Sequence, residues 1–600
     1  MTRPQDDFFE FINKEWIQRT EIPKDHTSCN NYVILRDKVT DEIDKLISKS
    51  DGTLRELYEC FMKQEEDFTK VKGLCRLILQ SQNISELLGF FNMVNASTIV
   101  QVSVSVDTKD STSYKIHLYQ GGLGLPKLYY EKEDMCTGYK KLIDEVLDYV
   151  EINKPGLSSV IFNFEKELSK FHLLPEETMD VVKTYNPVTL DELQKKCNYI
   201  NWASLFGSLD ISIHSKIICE SVDYITKVDA MLSRQNIKTI KIYLLWCVIR
   251  SFSEQCGETL SDIFFDFYGK VLTGQEKQKP LFRRAITLVS GLLSDLVCIE
   301  YRKKKYQEYK EVEELVKEIF KEYRVILAGL KWMTKKTKER AMRKLDTLKY
   351  KIGFPNKYED YSRLILDRNV SLVENVIRIS VFLNKKMINK YNTKEPVDKE
   401  LWLMKSYEVN ACYIPSFNEL IIPSSILKPP FYSRQQSYVE NLAGIGTIIG
   451  HEILHAFDDH GRHYDEDGNL SDWWTEEDKK LYEAKTKLLI EQYDNYGING
   501  ELTIGENFAD IVGFEVAINV LKKQPFSDAT LNDFFRHYAL CNREKVRKEK
   551  EELQKHIDPH PTERVRCNGV LSVSPDFNRI LNLKKGDEMF IKSEKRFSIY

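Results

Sequence analysis

Apolar residues recur at three- and four-residue spacing through long charged segments over most of the 600-residue chain, the mark of amphipathic helices. The clearest case runs from Tyr301 to Tyr350, where Leu315, Ile319, Ile326 and Leu330 return at helical spacing among Lys and Glu, and the segment reads as a long charged helix. The basic run Arg302 to Lys305 passes into mixed Glu and Lys, which makes it a solvated face laced with i,i+4 pairs rather than a binding patch. Alternation typical of strands is scarcer: it appears at Val100–Val106 and Tyr114–Tyr119, and at Glu408–Ile422, where Pro415, Ser416 and Asn418 in the middle predict a hairpin. The most apolar stretch, Ala285–Ile299, is interrupted by Ser290, Ser294 and Asp295, so it reads as a buried helix and not as a membrane span.

This length exceeds what one hydrophobic core usually supports. The pattern breaks near residue 45 and again at Gly353-Phe354-Pro355. The expected architecture is therefore mainly α and two-lobed. A helical lobe spans residues 46–352, and a second lobe spans 353–600, completed by residues 1–45. Charge adds little: 87 Lys and Arg against 91 Asp and Glu leave a formal net charge of −4, with no bulk attraction for nucleic acid or anionic membrane. The amino-terminal residues lack the apolar run of a signal peptide, so a cytoplasmic location is expected, with non-classical export left open. The 12 cysteines form no C-x-x-C pair and read as buried free thiols in a reducing compartment.

One motif carries chemistry, His451-Glu452-Ile453-Leu454-His455. Residues four apart share a helix face, so His451 and His455 can bind one zinc ion, and Glu452 then lies where it can take a proton from water beside the metal. The apolar, small-residue segment Leu442–Gly450 before the motif predicts a buried helix. A catalytic zinc needs a third ligand and an open position. The class that supplies a third His six residues on, after a Gly at plus three, is excluded, because Asp458 and Gly461 hold those places and His460 is off register. The other common arrangement takes a Glu from a second helix, and Gly505-Glu506-Asn507-Phe508-Ala509-Asp510 provides one. Glu506 can ligate zinc, and Asp510, one turn on, can hydrogen-bond the far nitrogen of a ligand His.

Several separated blocks resemble the neprilysin family of zinc peptidases: DDFFEFINKEWIQRTEIP at 6–23, GLGLPKLYY at 122–130, VNACY at 409–413, IIPSSILKPPFY at 421–432, GHEILHAFDDHGRHYDEDGNLSDWW at 450–474, GENFADIVG at 505–513 and DPHPTERVR at 558–566. Among its branches the chain is most similar to the soluble endopeptidase O. A membrane anchor, the paired extracellular cysteines and a terminal C-x-x-W are missing, the chain ending KRFSIY. The resemblance implies a two-lobed helical metallopeptidase whose thermolysin-like catalytic lobe carries a small β-sheet, one Zn2+ per chain, and short peptides as substrates. It implies His451, His455 and Glu506 as zinc ligands, Glu452 as general base, Asp510 as the Asp that orients a ligand His, and Asp458 as a further residue behind the ligands. It also implies Asn410 and Ala411 as holders of the substrate backbone on an edge strand, His560 as oxyanion stabiliser, and Arg566 as the grip on a substrate carbonyl.

Three departures stand out. Pro561 follows His560 directly, Cys412 replaces the usual aromatic, and Ser28 stands where mammalian neprilysin has an Arg that can bind a C-terminal carboxylate, which favours an endopeptidase mode. Two rival readings stay open: a peptide-binding pseudoenzyme of the same fold, and a structural zinc protein closed by His460, His463 or His560.

Overall fold

The computed structural model describes residues 2–152 and 154–599. The chain divides into two compact units, one of residues 1–43, 298–359 and 399–600, the other of residues 44–297 and 360–398. Both are mainly helical, and among the described residues the strands form three small sheets. No helix of the described residues is long and apolar enough to cross a membrane.

The division differs from the boundary expected at 352/353. Residues 298–352 fall with the motif-bearing unit, and 360–398 with the other. Packing supplies the reason. The helix Lys310–Gly329 buries Val312, Leu315, Val316, Ile319, Tyr323, Ile326 and Leu327, and its Tyr323 hydroxyl donates to the Gly450 carbonyl at 2.5 Å. The strand Lys349–Gly353 then pairs in parallel with Glu419–Pro423. In the other unit, Asn384, on the helix Leu372–Asn392, donates to the carbonyls of Asn92 and Met93. The expected single helix over 301–350 is in fact three helices, Ser294–Lys305, Lys310–Gly329 and Lys335–Thr347. The apolar stretch 285–299 is likewise interrupted, at Leu293, between Leu281–Leu292 and Ser294–Lys305.

In the second unit, Val100–Asp107 and Asp110–Gln120 form an antiparallel hairpin, extended by Ile217–Cys219 and Asn186–Val188 into a four-stranded sheet. In the motif-bearing unit, the expected hairpin is Cys412–Ile414 against Glu419–Pro423, in register Cys412↔Ile421. Its turn is Pro415–Phe417 followed by Asn418 at φ 46°, a left-handed conformation that Asn tolerates better than most residues. The strand order in this sheet leaves Cys412–Ile414 at an edge. Two helices form the centre of this unit: Thr447–Leu454, entered through a π-turn at Leu442–Gly446, and Ile504–Leu521. Both are buried along nearly their whole length. They touch backbone to backbone. A Cβ on Gly450 would lie 2.8 Å from the Gly513 carbonyl oxygen, and one on Gly513 would lie 2.5 Å from the His451 nitrogen. Only glycine at both places allows that approach, and it brings the two helices' polar residues within reach of one another.

Candidate metal centre

The helix Thr447–Leu454 carries His451 and Glu452 and is capped by His455, whose N–H still donates to the His451 carbonyl. The helix Ile504–Leu521 presents Glu506 in its first turn, where the helix dipole favours an anion, and Asp510 one turn later. The crossing brings their side chains together. His451 Nε2 lies 3.0 Å from His455 Nε2 and 3.2 Å from Glu506 Oε2. His455 Nε2 lies 3.7 Å from Glu506 Oε1. Among the described residues, these three offer one donor atom each, all within 4.8 Å of one another.

The opposite edge of each ring is held by a carboxylate. His451 Nδ1 sits 2.8 Å from Asp510 Oδ1, and His455 Nδ1 sits 2.6 Å from Asp458 Oδ2. A carboxylate only accepts, so each Nδ1 carries a proton and each ring turns Nε2 inward, the atom whose lone pair a metal would take. Glu506 Oε2 is shielded from solvent and accepts no hydrogen bond. With both Nε2 atoms unprotonated, acceptors face acceptors across a few ångströms, and positive charge there, as protons on the rings or as a metal ion, resolves the arrangement. The electrostatics point the same way. Burial opposes charge on His451, yet Asp510 and Glu506 outweigh it and raise its pKa to about 10. His455 rises to about 9 against burial, chiefly through Asp458 and Glu506. Burial also works against the Glu506 carboxylate, but the imidazoles of His560, His451 and His455 hold it well below its ordinary range. Two imidazole nitrogens and one carboxylate are a donor set that suits zinc.

The supporting residues are themselves tied down. Asp510 takes Arg566 Nε at 2.7 Å and Nη2 at 2.6 Å. Burial opposes its charge, but Arg566 and His451 bring its pKa down to about 2. Arg566 is therefore anchored on Asp510, a role its sequence motif did not suggest. Asp458 Oδ1 accepts the backbone N–H groups of His460 at 3.0 Å and Gly461 at 2.5 Å. His560, about half exposed, places Nε2 3.2 Å from Glu506 Oε2, while Asp558 holds its Nδ1 at 2.9 Å. The structure thus gathers His451, His455, Glu506, Asp510, Asp458, His560 and Arg566 in one place.

Glu452 is buried beside the two His on the same helix. The helix Thr447–Leu454 packs against the edge strand Cys412–Ile414, and burial with the nearby Glu452 charge pushes the Cys412 thiol up. Exposed Asn410 and buried Ala411 come just before the edge strand Cys412–Ile414.

Models of peptidase family M13 match residues 4–355 and 410–597. This chain belongs to peptidase family M13, the neprilysin family of zinc metallopeptidases. It is 28% identical to the neutral endopeptidase of Lactococcus lactis subsp. lactis, over 100% of both chains. It is 26% identical to human neprilysin, over 100% of this chain and 90% of that one. The crystal structure of a Mycobacterium tuberculosis zinc metalloprotease in complex with an inhibitor superposes with a TM-score of 0.95 at 30% identity, covering 100% of this chain and 97% of that one. The family implies zinc, and the donor set described above fits it.

The pattern of residues did not mark Asp558, whose only signal was its place two residues before His560.

Proposed function

We propose that the protein is a zinc-dependent endopeptidase that hydrolyses short peptides, with the reacting bond at the meeting point of His451, His455 and Glu506. The observation that carries this reading is the convergence of two imidazoles braced from behind by carboxylates with the Glu506 carboxylate, and Glu452 on the same helix as His451. In this reading His451 Nε2, His455 Nε2 and the Glu506 carboxylate would hold one zinc, which would supply Lewis-acid chemistry to water and to the scissile carbonyl. Three protein ligands leave a position open for the reaction.

Glu452 accepts the proton of the attacking water at its carboxylate and hands it to the leaving amine. His560, braced by Asp558, donates from Nε2 to the developing oxyanion. Arg566 engages Asp510 through Nε and Nη2. Its remaining N–H groups are the ones that can reach a substrate carbonyl. Asn410 and Ala411 hold the substrate backbone beside the edge strand, so an extended peptide adds to the sheet and is oriented for attack.

Mass spectrometry of a mixed peptide library tests this. Wild type should cleave, chelator should stop it, and Glu452→Gln should keep zinc while losing turnover by roughly 10²–10⁴-fold. An active Glu452→Gln enzyme would remove Glu452 as the base. Zinc-loaded wild type that binds peptides but cleaves none would replace the reading with a peptide-binding pseudoenzyme.

A further inference from the structure

Lys344 lies on the helix Lys335–Thr347 among lysines and arginines that mostly face solvent, yet its own side chain is buried, with 1% of the residue exposed. Its Nζ donates three hydrogen bonds, to the carbonyls of Ala456 at 2.8 Å, Gly461 at 2.7 Å and Tyr464 at 2.6 Å. All three acceptors belong to the segment that begins one residue after His455. An ammonium has three donors, and here each has a partner in this one loop. The position is also electrostatically apt, because a helix end exposes unsatisfied carbonyls and the negative pole of its dipole.

That loop does one further thing. The backbone N–H groups of His460 and Gly461 fix Asp458 Oδ1, while Asp458 Oδ2 holds the Nδ1 edge of His455. Gly461 lies so close to the helix end that a Cβ there would sit 1.7 Å from the His455 carbonyl oxygen. A continuous path therefore runs from Lys344 Nζ through the Gly461 peptide to Asp458 and on to His455. The backbone of Lys344 extends the path in the other direction. Its carbonyl accepts from Asn418 Nδ2 at 3.0 Å, and Asn418 Oδ1 accepts from the Tyr413 hydroxyl at 2.9 Å, on the edge strand.

We propose that Lys344 is a positioning residue for the metal centre: its ammonium clamps the loop 456–464 so that Asp458 keeps His455 aimed at the metal position. Burial lowers the pKa of Lys344 to about 7, against the opposing charges of Asp458, Asp465 and Glu466. The inference rests on the zinc reading above.

The test compares full-length wild type, Lys344→Met and a control, Leu531→Ala, which removes fully buried apolar volume from the helix Asp528–Cys541. Three quantities are read: zinc affinity by chelator competition, hydrogen exchange at the His460 and Gly461 amides in chelator-stripped protein, and kcat with KM on a short peptide. Lys344→Met should weaken zinc at least tenfold, speed exchange at both amides at least tenfold, and lower kcat with little change in KM. Leu531→Ala should lower the melting temperature and leave all three near wild type. If Lys344→Met does not fold, Lys344→Gln, with a shorter amide donor, should shift the same quantities in the same direction. Wild-type zinc affinity and amide exchange in either folded variant would overturn the proposal. Failure of wild type to bind zinc would instead overturn the reading of the site itself.

Discussion

Each unit of the molecule buries an arginine against a carboxylate, and the two pairs end differently. In the unit of residues 44–297 and 360–398, Glu165 is fully buried and its Oε1 accepts from Arg250 Nη1 at 3.2 Å, the Gly124 N–H at 3.0 Å and the Tyr243 hydroxyl at 3.1 Å. Arg250 also donates to Ser97 Oγ and the Gly122 carbonyl. All three donors meet one oxygen, Oε1, while Oε2 is buried without a hydrogen-bond partner, and the arginine's other bonds go to neutral acceptors. The cluster ties down the Gly-Leu-Gly-Leu-Pro segment at 122–126. In the other unit, Asp510 takes Arg566 with both oxygens but also holds His451 Nδ1, and the far nitrogen of that ring faces His455 and Glu506. The bonds of the first pair run to a backbone N–H, a hydroxyl and a guanidinium, which makes it a structural lock. The second passes its orientation through an imidazole into a set of acceptors, which is a place for a cation.

The contrast can be broken from either side. Glu165→Gln removes the charge that Arg250 is buried against. It should destabilise its unit by roughly 3–5 kcal/mol, seen as a lower denaturation midpoint, without changing zinc affinity. Loss of zinc with no loss of stability would undo the distinction. Asp510→Asn should act the other way round, weakening zinc by roughly 10–100-fold in chelator competition, because the Asp behind a ligand His tunes its basicity and direction. Unchanged zinc affinity would show that Asp510 serves Arg566 alone.

A smaller effect separates the metal centre from the helix crossing beneath it. Gly513→Ala puts a methyl group 2.5 Å from the His451 nitrogen, so the helices must part. Overpacking of this kind costs about 1–3 kcal/mol. Zinc affinity should fall along with thermal stability, whereas Gly497→Ala, at an open turn on the same unit, should leave zinc untouched. Equal zinc affinity in both would mean that the crossing does not set the ligand distance.

The smallest effect concerns pH. His26 Nδ1 lies 2.8 Å from Asp25 Oδ1, and its Nε2 lies 2.9 Å from Asp37 Oδ2. The hydrogen bond to Asp37 raises its pKa, with Asp25 adding to the effect and burial opposing it. The folded state therefore binds the His26 proton more tightly than the unfolded chain does. Its contribution is complete below about pH 6.5 and is lost as pH rises through the folded value. The gap in melting temperature between wild type and His26→Gln should be widest near pH 6 and narrow toward pH 9. A gap that does not change with pH would remove the ion pairs from the account.

How much of this was legible in the sequence depends on the range of the signal. Local spacing marked His451 with His455, and Glu506 with Asp510, because residues four apart share a helix face wherever the helix goes. It also marked the hairpin at 412–423, whose turn chemistry is local. The resemblance to the family supplied His560 and Arg566, which no spacing rule would have singled out. What stayed hidden depends on tertiary contact. Gly450 and Gly513 read as ordinary small residues until their helices cross. Lys344 is one of many basic residues on its helix, and nothing in sequence distinguishes the one that turns inward. The three helices of 294–347 share one charged, periodic pattern, so their breaks were invisible. The pairing of Arg566 with Asp510 joins elements far apart in the chain.

The central claim is that His451, His455 and Glu506 form a three-ligand zinc centre with an open fourth position. X-ray absorption at the zinc edge on the purified full-length chain, paired with metal analysis, tests it most directly. The account predicts one zinc per chain, with two imidazole nitrogens at about 2.0–2.1 Å and the remaining shell made of carboxylate and solvent oxygen. A shell with three imidazoles, which would bring in His560 as a closing ligand, or the absence of stoichiometric zinc, would contradict it.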